Sequence, residues 1–277
     1  MLGLAVAVLL SSTRHRTFYS GLSAPSGPRV ASATPSAPPA PAGPPVGGAP
    51  RSRTPSATPA PLVRIPVADL VPTRLPAPGV PIGWEMAEFA GKDSSVELVR
   101  DDGRLALRLR SERNSFAVHR DLVLDLRQHP ILSWSWKVSR LPNGGDVREV
   151  GRDDQAAQVY VIFPRWPSPR TSSDVIGYIW DSRAPVGARL VHPRAPNVRI
   201  VVLQSGPGRL DQWLREERNV AEDYRALFGR PAPRAGKVAF MIDSNDTRSD
   251  AEALFADLAF SRPGAPSHTE IPTSMLR

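Results

Sequence analysis

Side chains whose types and spacing suit chemistry gather in three stretches of this chain. In MIDSNDTRSDAEALF, residues 241–255, the oxygen donors Asp243, Asn245, Asp246 and Thr247 follow an apolar run, KVAFM. Oxygen at that density suits a hard cation such as calcium. The EF-hand pattern fails, because counting from Asp243 puts Arg248 where the turn glycine belongs and Leu254 where the bidentate Glu belongs. One reading is a structural calcium site built from a turn plus backbone carbonyls. The other is a turn in which Asp and Asn bond their own backbone. In GRDDQAAQVYV, Asp153 and Asp154 stand just before a strand pattern. Neighbours entering a strand diverge to opposite faces, so they make a poor catalytic dyad. Each is a candidate metal ligand, an acceptor for an Arg, or a charged loop end.

The third stretch is REERNVAEDY. If it opens a helix, Arg215 and Asn219 share a face, as do Asn219 and Asp223, and Arg218 and Glu222. Arg218 is then placed to fork onto a carboxylate such as Asp153 or Asp243 and lock the helix to a sheet. Alternatively Arg218, Asn219 and Asp223 line a polar groove that bonds sugar hydroxyls or a ligand carboxylate. Sugars also stack on aromatic rings. Trp134 and Trp136 alternate with polar residues and belong to a core. Trp180, ahead of Asp181 and Arg183, is a candidate platform beside a loop, and Trp166 lies in a proline-flanked loop, FPRWPSP. The expected ligand-binding set is therefore Trp180, Asp181, Arg183, Arg218, Asn219 and Asp223.

Enzyme templates find no purchase. G-x-S-x-G, H-E-x-x-H, the phosphate-binding loop and a dinucleotide fingerprint are all missing. A glycosidase needs two carboxyls across a cleft; Glu216, Asp223 and Asp153 are the candidates. With no cysteine, the sequence excludes thiolate catalysis, disulfides and a lipoprotein anchor. The net charge of +8 is uneven. Residues 1–61 hold five Arg and no acid, whereas the remaining 216 residues carry 30 basic and 27 acidic groups. No basic stripe is evident in that nearly balanced part, so nucleic acid is not an expected partner.

The elements that must position these residues read mainly as strands. RLALRLR has Leu105, Leu107 and Leu109 alternating with Arg, after a DDG turn. ILSWSWKV sets Trp134, Trp136 and Val138 against Ser133, Ser135 and Lys137. In AAQVYVIF, Val159, Val161 and Phe163 share a face, and DVIGYIW, NVRIVVLQ and KVAFMID continue the series. One helical face appears at Val220, Tyr224, Leu227 and Phe228, stopped by Gly229 and Pro231. AEALFADLAF alternates and is read as the last strand. Around nine strands with one helix on a connection predict a mainly β, antiparallel sandwich. Residues 1–24 form a signal-like segment whose apolar run is too short for a stable membrane span. Residues 25–61 hold twelve prolines and read as a disordered Pro/Ala-rich linker. Residues 62–81 are an extended lead-in, 82–262 the sandwich and 263–277 a flexible tail.

Several long motifs in one order, LSWSWKVSRLPNGGD, RDDQAAQVYVIF, GYIWDSRAPVG, VRIVVLQSGPGRLDQWLREERNVAEDYRALFG and VAFMIDSNDTRSDAEALFADLAF, resemble the bacterial family catalogued as domain of unknown function 3047. The resemblance covers about residues 82–262. It implies a jelly-roll sandwich similar in outline to galactose-binding and carbohydrate-binding modules, and an exported, periplasmic protein; a cytoplasmic protein with an N-terminal tail is the alternative. The expected role is non-catalytic binding of a saccharide or other cell-envelope component. The alternatives are a glycan-acting hydrolase or lyase, or a structural envelope protein without a small-molecule ligand.

Overall fold

The computed structural model describes residues 62–91, 94–165 and 173–264. The signal-like segment, the Pro/Ala-rich linker, Trp166 and residues 265–277 lie outside the described residues. The described chain forms β1 (Leu62–Arg64), β2 (Ala77–Pro78), β3 (Glu85–Ala90), β4 (Ser95–Asp101), β5 (Arg104–Glu112), β6 (Ser115–Leu124), β7 (Ile131–Arg140), β8 (Ala157–Phe163), β9 (Asp174–Asp181), β10 (Arg189–His192), β11 (Ala195–Ser205), β12 (Leu214–Asn219), β13 (Ala235–Asp243) and β14 (Asp250–Ser261). One α-helix, α1 (Val220–Phe228), sits between β12 and β13.

Two seven-stranded sheets face each other. The first runs β12-β7-β14-β5-β4-β2, with β1 also paired to β14; the second runs β10-β11-β9-β8-β13-β6-β3. This is the expected sandwich with two corrections. There are fourteen strands among the described residues rather than about nine, since the short edge strands carry too few residues to show a period. The β9–β11 pair is parallel. The lead-in is part of the sandwich: β1 is bonded to β14, and Ile65, Val67 and Ala68 enter the core.

Local chemistry explains the elements. Asp102 and Gly103 both have positive φ (46° and 77°), the type I′ geometry that matches the twist of the β4–β5 hairpin. The side chain of Asn219 accepts the N–H of Glu222 at 3.1 Å, capping α1 at its start. Gly229, at φ 69°, closes it by donating to the carbonyl of Arg225 at 2.9 Å.

Aromatic rings join the sheets. Phe240 of β13 stacks on Phe255 of β14 at 4.5 Å, and Trp84 stacks on Phe240 at 5.0 Å. Trp134 meets Tyr178 at 5.5 Å, and Trp136 meets Trp180 at 6.1 Å. Each buried large apolar side chain contributes about 1.5–3 kcal/mol. The second sheet is buried on both faces. Tyr160, Ile162, Val175, Ile179 and Met241 form a further apolar cluster with Ala195 of β11 and with Val147 and Ala184 from loops. That double burial is why β8, β9 and β13 read as continuous apolar runs.

Candidate functional site

The structure divides the expected site residues into three hydrogen-bonded groups. The first joins the start of β8 to the end of β13. These strands pair with Met241 opposite Gln158, so Asp243 arrives beside Gln155 and donates its N–H to that carbonyl at 3.0 Å. Asp153, Asp154 and Asp243 are all buried there. Asp154 accepts the N–H groups of Asp246 at 3.1 Å and Thr247 at 2.5 Å. Asp243 accepts the N–H of Asn245 at 3.3 Å, a bond within its own turn. His192 Nδ1 accepts the N–H of Arg194 at 3.2 Å. Its Nε2–H is then the donor to Asp153 at 2.7 Å. Arg194 reaches on to Asp246 at 3.0 Å. Burial, reinforced by the neighbouring Asp154 and Asp153, pushes the Asp243 carboxyl well above the usual carboxylate range. Among the described residues no set of three His, Asp or Glu side chains is arranged to hold a metal ion. These oxygens are turned to one another and to backbone N–H groups, and they fasten the 243–250 turn to the loop before β8.

The second group corrects the stacking platform. Trp180 is buried, packs on Trp136 and donates to the carbonyl of Gly206 at 3.1 Å, so no sugar ring can lie on it. The alternation of β9 turns this ring to the inter-sheet core, which its place at the end of an apolar run concealed. Asp181 is also buried and accepts the N–H groups of Val147 at 2.9 Å, Arg183 at 2.7 Å and Ala184 at 2.7 Å. Burial raises its carboxyl above the ordinary range despite those three bonds. Arg183 is exposed, with its guanidinium lying where a Cβ on Gly144 would come within 3.1 Å.

The third group decides whether REERN belongs to the helix and corrects the partner of Arg218. Residues 214–219 form β12, paired to β7, and only from Val220 is the segment helical. Arg218 forks onto Asp223, with Nε at 2.9 Å and Nη2 at 2.5 Å, rather than onto Asp153 or Asp243. Asp223 also accepts the Tyr178 hydroxyl at 2.9 Å, and Arg189 Nη2 lies 3.6 Å away. Asn219 is the helix cap. The carboxylate of Asp223 thus ties β12 and α1 to β9 of the opposite sheet. Glu216 is similarly occupied by Gln204 at 2.8 Å and the Trp136 indole at 3.2 Å, and burial raises its carboxyl.

A groove that the sequence reasoning missed lies on the outer face of the first sheet. Antiparallel register aligns two rows there: Glu217–Ser133–Ala259–Arg64, and Asn219–Ile131–Ser261–Leu62. Beside them, Ser135 donates to Asp257 at 2.9 Å, and Arg104 pairs with the same carboxylate. Ser133, Ala259 and Ser261 are short, and the charged side chains around them are long. A hollow of about 590 Å³ results, within the range of ligand pockets. It sits where β14 changes partners. Residues 250–255 pair with β5 and residues 259–261 with β1, across an irregularity containing Asp257 at φ 57°. Its charged lining is Arg64, Arg104, Arg215, Arg262, Glu217 and Asp257. The available signal was the ILSWSWKV alternation, which sets Ser133 and Ser135 on the face opposite the two Trp residues. It named the floor but not the strands that would supply the walls. Trp213 was missed as well. It is half-buried and donates to Asp101 at 2.7 Å, with Arg104 and Lys137 each 5.6 Å from its ring.

No curated protein matches the chain. Solved structures with a similar course include the xyloglucanase domain of NopAA, a type three effector from Sinorhizobium fredii, in complex with cellobiose. It has 11% identity and a TM-score of 0.40, over 68% of this chain and 96% of that one. A family 11 carbohydrate-binding module from Clostridium thermocellum, in complex with a mixed-linked tetrasaccharide, has 9% identity and a TM-score of 0.37, over 72% and 94%. A cellulase derived from Cel12A of Rhodothermus marinus has 11% identity and a TM-score of 0.40, over 68% and 99%. At these scores the likeness is one of outline, and no ligand or activity is carried over from it. The family model for a protein of unknown function, DUF3047, matches residues 82–259, the span that contains both sheets apart from β1, β2 and the last residues of β14, and the chain belongs to that family.

Proposed function

We propose that this protein is a non-catalytic, exported binding module for a saccharide or other cell-envelope ligand, with the groove on the first sheet as its binding surface. The carrying observation is that hollow of about 590 Å³, in which apolar Leu62, Ile131 and Leu258 lie among hydroxyls, guanidinium groups and carboxylates. A concave surface with a few convergent polar groups is the usual form of a small-molecule site. Binding is favoured over hydrolysis because Asp257, one of the two acids in the groove, is fastened by Arg104 and the Ser135 hydroxyl instead of standing ready to exchange a proton. The carboxyls with raised proton affinity, Asp181, Glu216 and Asp243, are outside the groove lining. Export rests on the apolar start, which matches the apolar core of a signal peptide. Among the described residues no helix is long and apolar enough to cross a membrane.

A thermal-shift screen of the full chain against a panel of neutral and acidic glycans tests this reading, since a ligand that binds the folded state raises Tm. At least one glycan is expected to do so, and Ser133→Gln, which fills the groove floor, is expected to abolish that shift. A panel that leaves Tm unmoved would defeat the proposal.

A further inference from the structure

We infer that the groove selects an acidic saccharide, one that carries carboxylates along with free hydroxyls. This inference rests on the binding reading above and narrows it.

Charge is the first reason. Four guanidinium groups and two carboxylates line the hollow, a sum of +2 however they pair among themselves. They stand over a concave, partly apolar floor in which Ser133 and Ala259 are buried, and fields between charges are stronger against such a floor than in open water. Such a surface favours an anion and disfavours a cation.

The type of cation is the second reason. All four are Arg, as are all but three of the 35 basic residues of the chain, and the chemistry of the guanidinium is what matters here. A guanidinium presents parallel N–H groups that fit a carboxylate or phosphate in two-point contact.

The two acids narrow the class further. Glu217 and Asp257 would repel a bare phosphate at close range, but each accepts hydrogen bonds from hydroxyl groups. Ser133 and Ser261 on the floor both donate and accept. An anion that also bears hydroxyls therefore satisfies the whole lining, and a small inorganic anion satisfies only the Arg part. Position agrees with this division. In the register row Glu217–Ser133–Ala259–Arg64 the acid stands at the β12 end and the guanidinium at the β1 end, with two short side chains between. A sugar lying along the row would meet, at one end, a carboxylate that accepts from its hydroxyls and, at the other, a guanidinium that donates to its carboxylate.

Isothermal titration of the full chain with trigalacturonate, cellotriose and inorganic phosphate tests the inference. Trigalacturonate is expected to bind, and more weakly as ionic strength rises. Arg215→Ala and Arg64→Ala are each expected to weaken it about tenfold or more, which corresponds to about 1.4 kcal/mol, while Arg215→Lys restores only part of the loss. Both residues lie on edge strands, and an unchanged Tm of each variant separates lost binding from lost folding. If cellotriose binds as tightly as trigalacturonate, the acidic preference is overturned and the saccharide reading stands. Binding of phosphate with neither trisaccharide overturns the inference and also the saccharide reading. Trigalacturonate bound equally by wild type and both Arg variants places the ligand elsewhere and overturns the groove.

Discussion

Replacing Asp223 by Ala removes the carboxylate on which Arg218 and the Tyr178 hydroxyl converge. The Asp223 side chain is 5% exposed and that of Arg218 27% exposed. Breaking a buried ion pair from one side costs about 3–5 kcal/mol, because the remaining charge is left without its partner. Water reaches the partly exposed Arg218, which argues for the lower end. The buried Tyr178 hydroxyl loses its acceptor as well, a penalty of about 1–3 kcal/mol when it stands alone. Both losses run through one carboxylate, so they do not add. The expected cost is about 3 kcal/mol, measured by urea unfolding at constant m. Tyr178→Phe should cost about 1 kcal/mol in the natural background. In the Asp223→Ala background it should cost nothing, because the hydroxyl there has already lost its acceptor. A cost below about 1 kcal/mol for Asp223→Ala would refute the assignment of this residue as the tie between β12, α1 and β9. An equal cost of Tyr178→Phe in both backgrounds would refute it too.

Two further outcomes follow from the buried groups. Asp243 holds its proton to higher pH in the folded state than in the unfolded chain, because burial and the nearby Asp154 and Asp153 disfavour its charge. Above the ordinary carboxylate range the unfolded chain releases that proton first, so stability falls as pH rises, by up to about 1.4 kcal/mol per pH unit. Asp243→Asn should therefore gain little at pH 4 and raise Tm progressively towards pH 8; a gain that shrinks as pH rises would reverse the sign argued for this site. Gly177 lies against the Tyr160 ring, and a Cβ there would come within 2.5 Å of it and 2.8 Å of Ile200. Gly177→Ala should cost about 1–3 kcal/mol by overpacking, read as a drop in the urea midpoint, and no change in midpoint would contradict the packing of that face.

What could be read from the sequence depended on periodicity. The alternation in ILSWSWKV identified β7 and the facing of Trp134 and Trp136, and AEALFADLAF was legible as β14, although the irregularity between Ala256 and Ala259 sends Leu254 and Ala256 to one face and Leu258 and Phe260 to the other. The helix face and its Gly229 stop were equally legible. Pairing was not. Arg218 finds Asp223 because β12 runs straight into α1 and brings two residues five positions apart side by side, a pairing that a helix running through REERNVAEDY would not give. Trp180 was misjudged because a residue at a strand end can face either way until its register partner, here Ala157, is known. The groove was invisible because its rows take one residue each from β12, β7, β14 and β1, strands scattered from residue 62 to residue 261.

Amide chemical-shift mapping of the isotopically labelled chain during a trigalacturonate titration tests most directly whether the outer face of the first sheet is the binding surface. Perturbations are predicted at residues 62–67, 131–135, 214–218 and 257–264. Shifts centred on residues 181–184 and 243–247, with those groove segments silent, would contradict it.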